Sequence, residues 1–122
     1  KVRAFAQSIA CEIHPLQNLR VQEFITEEFN QDSKQIDKWL KRWLGGGLAA
    51  CEEMIKNHNQ NLDFCFGDHP SLADICLVPQ IFSAQRFNVD LSEMPILMKI
   101  FNHCSSLEAF KDAHPKNQPD AE

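Results

Sequence analysis

Residues 71–91, SLADICLVPQIFSAQRFNVDL, open as a helix whose first turn is chemically specified and then place a proline near the middle. Ser71-Leu72-Ala73-Asp74 has the form of a capping box. The Ser71 hydroxyl is expected to accept from the Asp74 backbone, and the Asp74 carboxylate to accept from the Ser71 amide. That carboxylate also meets the positive end of the helix dipole. Ser71 and Asp74 therefore read as a structural helix cap rather than a catalytic pair. Pro79 works the other way, because a proline inside a helix removes a donor, clashes with the preceding turn and costs ~3 kcal/mol.

Helical periodicity extends in both directions from this segment. Toward the N-terminus, Phe5, Ala6, Ile9, Ala10 and Ile13 form a stripe that meets Pro15, so a first helix should kink or stop around His14. Leu16, Leu19, Phe24 and Phe29 continue more loosely to a polar break at residues 30–32. A long helix is expected over about 34–57, because Leu44, Leu48, Cys51 and Ile55 keep one phase through Gly45-Gly46-Gly47. The glycines are then sites of close backbone approach; a two-helix hairpin broken there is the alternative. Residues 57–68 read as a polar loop with Gly67 as its turn residue. Helices from Pro95 to about His103 and from Ser105 to about Ala113, with Leu107 and Phe110 inward, complete an all-α pattern of about five to six helices. Phe, Trp and Met on these stripes read as core. The tail, about 114–122, is polar and proline-punctuated and belongs on the surface.

A chain of 122 residues with 43% apolar content and net charge −5 fits one domain, 1–122, around one core. Acids and bases are mixed, so nothing resembles a nucleic-acid-binding basic patch, and no apolar run approaches the ~20 residues that cross a bilayer. Lys1 is already in helical register, which suggests a continuation of something longer. Five cysteines without a CxxC pair fit a reducing, cytoplasmic setting, and they read as small buried hydrophobes. A zinc site from Cys65, His69 and His58 can be drawn, but its spacing matches no finger or ribbon, so no metal is assigned.

The stretch 71–91 closely resembles the central segment of the C-terminal helical domain of zeta-class glutathione transferases, the family of maleylacetoacetate and maleylpyruvate isomerases. IACEIHPLQNLRV (9–21) resembles the signature of that domain's first helix, and LEAFKDAHPKNQPDAE (107–122) its C-terminal end. Together they cover nearly the whole chain; 45–62 is the least typical stretch. The resemblance implies a glutathione transferase C-terminal-type helical bundle lacking the N-terminal thioredoxin-like domain, in which the capped helix runs through the middle and Pro79 is a tolerated kink. The thiolate-activating motif belongs to that other domain, so no catalytic residue is assigned in this chain.

Residue by residue, the resemblance places His14, Asn18, Leu19 and Arg20 beside glutathione, and Arg86, with Arg20, on a substrate carboxylate. Ser83 stands where many relatives have asparagine. Arginine suits such a role because its fixed fork of donors matches a carboxylate, each charge-assisted contact contributing ~1.5 to 3 kcal/mol. Read without the resemblance, Arg86 is an exposed arginine paired with a neighbour such as Asp90. The implied activity is glutathione-dependent cis–trans isomerisation of maleylacetoacetate to fumarylacetoacetate in tyrosine and phenylalanine catabolism. Maleylpyruvate isomerase or a general glutathione transferase is the alternative, and a non-catalytic interaction module is the second. The implied partners are glutathione, a small dicarboxylate, the thioredoxin-like domain and a second copy in a homodimer. An apolar strip beside His14 and Arg20 is expected where the other domain docks.

Overall fold

The computed structural model describes residues 1–58 and 63–121, and among these it contains helices and no strands. The first helical run is α1 (Val2–Gln7), a π-helical segment (Ser8–Ile13) and α2 (His14–Leu16). Then follow α3 (Leu19–Glu28), α4 (Ser33–Lys56), α5 (Leu72–Arg86), α6 (Pro95–Ser106) and α7 (Glu108–Asp112). The first run does not stop at His14 but carries past Pro15 to Leu16. Its coil widens just before the proline, and the His14 amide reaches back to the Ile9 carbonyl. The wider turn moves backbone carbonyls away from the pyrrolidine ring, which a regular helix would drive against the preceding turn.

Central α5 packs against α1, the π segment and α6, while α4 closes the far side against the π segment and α6. The core is what helical spacing selects: Phe5, Ile9 and Ile13; Leu40, Leu44, Leu48, Cys51 and Ile55; Leu77, Ile81 and Ala84; Leu97, Ile100 and Cys104. Not every aromatic on a stripe is inside. Phe24, Phe29 and Trp43 are exposed, and the first two pair edge-to-face with each other at 5.5 Å. α3, which carries Phe24 and ends at Phe29, packs mainly against α4 and leaves its other side open. Of the cysteines, Cys51, Cys65 and Cys104 are buried, Cys76 is half-buried and Cys11 is exposed.

α4 is unbroken through its glycines. A Cβ on Gly47 would lie 2.5 Å from Ile13 Cγ1, so the close approach there is by a side chain rather than a backbone. Gly46 faces open space. The break between the last two helices falls at Leu107, whose extended ψ of 141° ends α6 later than the stripe suggested. The loop expected over 57–68 falls partly on residues 59–62, which lie outside the described residues.

Two buried carboxylates lock the elements together. Asp74 Oδ2 accepts from the Ser71 amide and hydroxyl, both at 2.8 Å, and Oδ1 accepts from the Cys65 amide at 2.7 Å. Ser71 Oγ in turn accepts from the Ala73 amide at 3.2 Å, so the capping box also pins the preceding loop. Glu52 of α4 accepts from the Ile96 and Leu97 amides at 3.0 and 2.8 Å, supplying the first turn of α6 with the anion its unpaired donors favour.

Candidate functional site

The corner between α2 and α3 holds the first group of candidate residues. Trp39 Nε1 donates to the Leu16 carbonyl at 2.7 Å, anchoring the end of α2 on α4. Asn18 then caps α3, its Oδ1 accepting from the Arg20 amide at 3.2 Å, which leaves its NH2 outward. Leu19 is 66% exposed, and His14 and Arg20 are exposed beside it. His14 Nδ1 lies 3.1 Å from Gln17 Nε2, and Gln17 Oε1 accepts from Gln80 Nε2 of α5 at 2.8 Å. Sequence reading missed Gln17 and Gln80. Gln80 shares the phase of Ala73, Leu77 and Ala84, so a polar residue in an apolar register was the available signal.

Arg86 sits in the last turn of α5 and is exposed. It forms no ion pair with Asp90 or with any other described residue, and neither does Arg20. Asp90 is instead held by the Ser92 amide at 2.9 Å, a bond that lowers the Asp90 pKa. The segments carrying the two arginines both reach one groove of about 430 Å³, lined by Leu19, Gln22 and Glu23 of α3, Ile36 and Leu40 of α4, and Phe87. Neither guanidinium lines it, and its charged walls are Glu23, Glu27 and Asp37. The groove itself is therefore unsuited to a dianion, and it does not bring the two guanidinium groups together.

A larger cleft, about 650 Å³, opens between α5, α6 and α7. Its walls are mainly Ile75, Val78, Pro79, Phe82, Phe101 and Phe110, and Ile75 is 59% exposed. α5 is thus apolar on both faces, one filled by the core and the other open. Apolar surface adjoins Arg20 through Leu19, but the main open face is this one. The drawn zinc trio does not assemble: Cys65 is buried, His58 and His69 are exposed, and the described residues include no cluster of metal-ligating side chains.

The model of the glutathione S-transferase C-terminal domain matches residues 18–108. The maleylacetoacetate isomerase of Pseudomonas aeruginosa is 40% identical over 97% of this chain and 53% of its own. A holo structure of maleylpyruvate isomerase, a bacterial zeta-class glutathione S-transferase, superposes with a TM-score of 0.95 at 39% identity, covering 99% of this chain and 57% of that one. A maleylacetoacetate isomerase of Anaeromyxobacter dehalogenans, crystallised with dicarboxyethyl glutathione and citrate in its active site, superposes at 0.90 with 36% identity, covering 99% and 54%. The chain spans about half the length of the curated relatives it matches. With the family match covering α3 to α6 and the solved relatives sharing the whole helical course, the chain belongs to the glutathione S-transferase C-terminal domain family.

Proposed function

We propose that this chain is the helical, substrate-binding half of a glutathione-dependent cis–trans isomerase that converts maleylacetoacetate to fumarylacetoacetate in tyrosine and phenylalanine breakdown. The observation that carries the reading is similarity over nearly the whole chain to isomerases, one of them holding a dicarboxyethyl adduct of glutathione. Glutathione, when bound, supplies the thiolate that adds to the cis double bond and leaves after rotation about the resulting single bond. The exposed edge of the α2–α3 corner suits such a tripeptide. The His14 ring, the Asn18 NH2 and the Arg20 guanidinium offer donors to its carboxylates and carbonyls, and Leu19 gives an apolar contact. Arg86, exposed and without an acidic partner among the described residues, grips a substrate carboxylate, with Arg20 as the second cation. The arginines also stabilise the enolate charge that develops on addition.

The whole of 1–122 acts as one domain in this reading. The open cleft beside Pro79 receives the thioredoxin-like domain that activates the thiol, and the exposed Phe24, Phe29 and Trp43 belong to the contact with a second copy. The setting is cytoplasmic; no described helix is long and apolar enough to cross a membrane. Maleylpyruvate isomerisation is the second reading, favoured by the 0.95 superposition. The test is to assay the intact protein with glutathione on both substrates. Arg86→Ala should lower kcat/KM about 10- to 100-fold, the loss of one charge-assisted contact. Unchanged turnover would remove the role given to that side chain. The 122-residue chain by itself should show little or no turnover.

A further inference from the structure

A chain of amides runs from the middle of α5 to the imidazole of His14, and its buried end sets its direction. Gln80 is 2% exposed and donates from Nε2 to Gln17 Oε1 at 2.8 Å. Gln17 is 8% exposed, with its Nε2 3.1 Å from His14 Nδ1, and its backbone carbonyl is held separately by Gln22 Nε2 at 2.7 Å. Gln80 Oε1 is buried without a hydrogen-bond partner. The donors could run outward, from Gln80 toward His14, or inward. Running inward would pair Gln80 Oε1 but put its NH2 where that oxygen now has no partner. Orphaned buried N–H groups are rarer than under-satisfied carbonyls, and an NH2 carries two of them. The outward direction therefore wins. Gln17 Nε2–H then meets His14 Nδ1, which must be the bare ring nitrogen, so the imidazole proton sits on Nε2.

We infer that Gln80 is a positioning residue that acts through Gln17 to hold His14 as its Nε2–H tautomer, presenting one hydrogen-bond donor at the exposed α2–α3 corner. The matching ligand group is an acceptor only, a carboxylate or a peptide carbonyl. That this acceptor belongs to glutathione rests on the function proposed above; the tautomer does not. The same relay explains why a residue as polar as Gln80 occupies a core phase of α5, since it connects that helix to the imidazole through Gln17.

The test is a long-range proton–nitrogen NMR spectrum of the intact protein at pH 8, where an ordinary imidazole is neutral, with His14 identified by its loss in His14→Gln. A bare Nδ1 and a protonated Nε2 are expected. Gln17→Glu places a carboxylate that accepts from both neighbours, so His14 should switch to Nδ1–H. Gln80→Leu, a substitution of similar size, should raise KM for glutathione about three- to tenfold, the scale of one hydrogen bond, while kcat changes less than twofold. The rise should vanish in a His14→Gln background, whose amide has no tautomers. A protonated Nδ1 in the unaltered protein, or nitrogens unchanged by Gln17→Glu, would overturn the inference. A Gln80→Leu protein that keeps the bare Nδ1 and protonated Nε2 of His14 would also strip Gln80 of the positioning role, whereas loss of that tautomer with KM for glutathione unchanged would uphold the inference and remove glutathione from His14.

Discussion

Glu52 carries its charge into the interior because two backbone donors meet it there. It is 5% exposed, and the Ile96 and Leu97 amides it accepts from have no partner within their own helix. Removing the carboxylate leaves those amides buried and unpaired, each worth ~1 to 3 kcal/mol. Glu52→Ala should therefore cost about 2 to 4 kcal/mol in urea unfolding, and Glu52→Gln, which keeps an oxygen but not the charge, clearly less. Equal losses would mean that packing rather than hydrogen bonding sets the cost. The residue was legible in principle: Leu48, Glu52 and Ile55 share one helical face, and an acid in that phase must have a partner. Its partners were not legible, since they sit on another helix more than forty positions away. Asp74 differs, because the Ser-x-x-Asp spacing announces its contacts with Ser71; the Cys65 amide and the Cys104 thiol that also reach it had no sequence signal.

The elements were mostly readable where periodicity is strong, and α4 is the clearest instance: one apolar phase through three glycines outweighed their helix-breaking cost. The glycines are not equivalent, however. Gly46→Ala should stabilise by about 0.5 to 1 kcal/mol, the helix propensity difference with no neighbour to disturb. Gly47→Ala gains the same propensity but drives a methyl group into the buried Ile13 side chain, and it should destabilise by about 1 to 3 kcal/mol. Thermal unfolding of the pair checks this, and the same sign for both would contradict the packing described. Element ends were less readable. Leu107 belongs to the apolar phase of either neighbouring helix, and only its extended backbone decides where one stops.

Across the whole molecule, the proposed site rests on residue types in a resembling pattern and not on geometry that the sequence could supply. The resemblance singles out both arginines, yet the three acids that line the nearby groove come from α3 and α4 and coincide only on folding. The thiols likewise converge: burial pushes Cys51 and Cys104 up to about 12 from 9.0, and raises Cys65 still further, with the Asp74 charge adding to the effect. A folded pKa above the unfolded one means that stability is full below pH 9 and is lost as pH rises toward 12. Each thiol contributes a slope of about 1.4 kcal/mol per pH unit in that window. Urea midpoints between pH 8 and 11 should fall accordingly, and less steeply in Cys51→Ala; a flat profile would contradict the burial. Under native conditions thiol reagents should modify Cys11 first. The widened coil ahead of Pro15 also acts as a spacer. Its turn holds about one residue more than a regular helix, so deleting one residue within 8–13 would restore about 3.6 residues per turn and leave Val2–Gln7 in nearly the same phase, with Phe5 still toward α5. The extra residue therefore works like a shim: both ends of this rod keep their heading, and the slack it adds is what lets the proline sit inside.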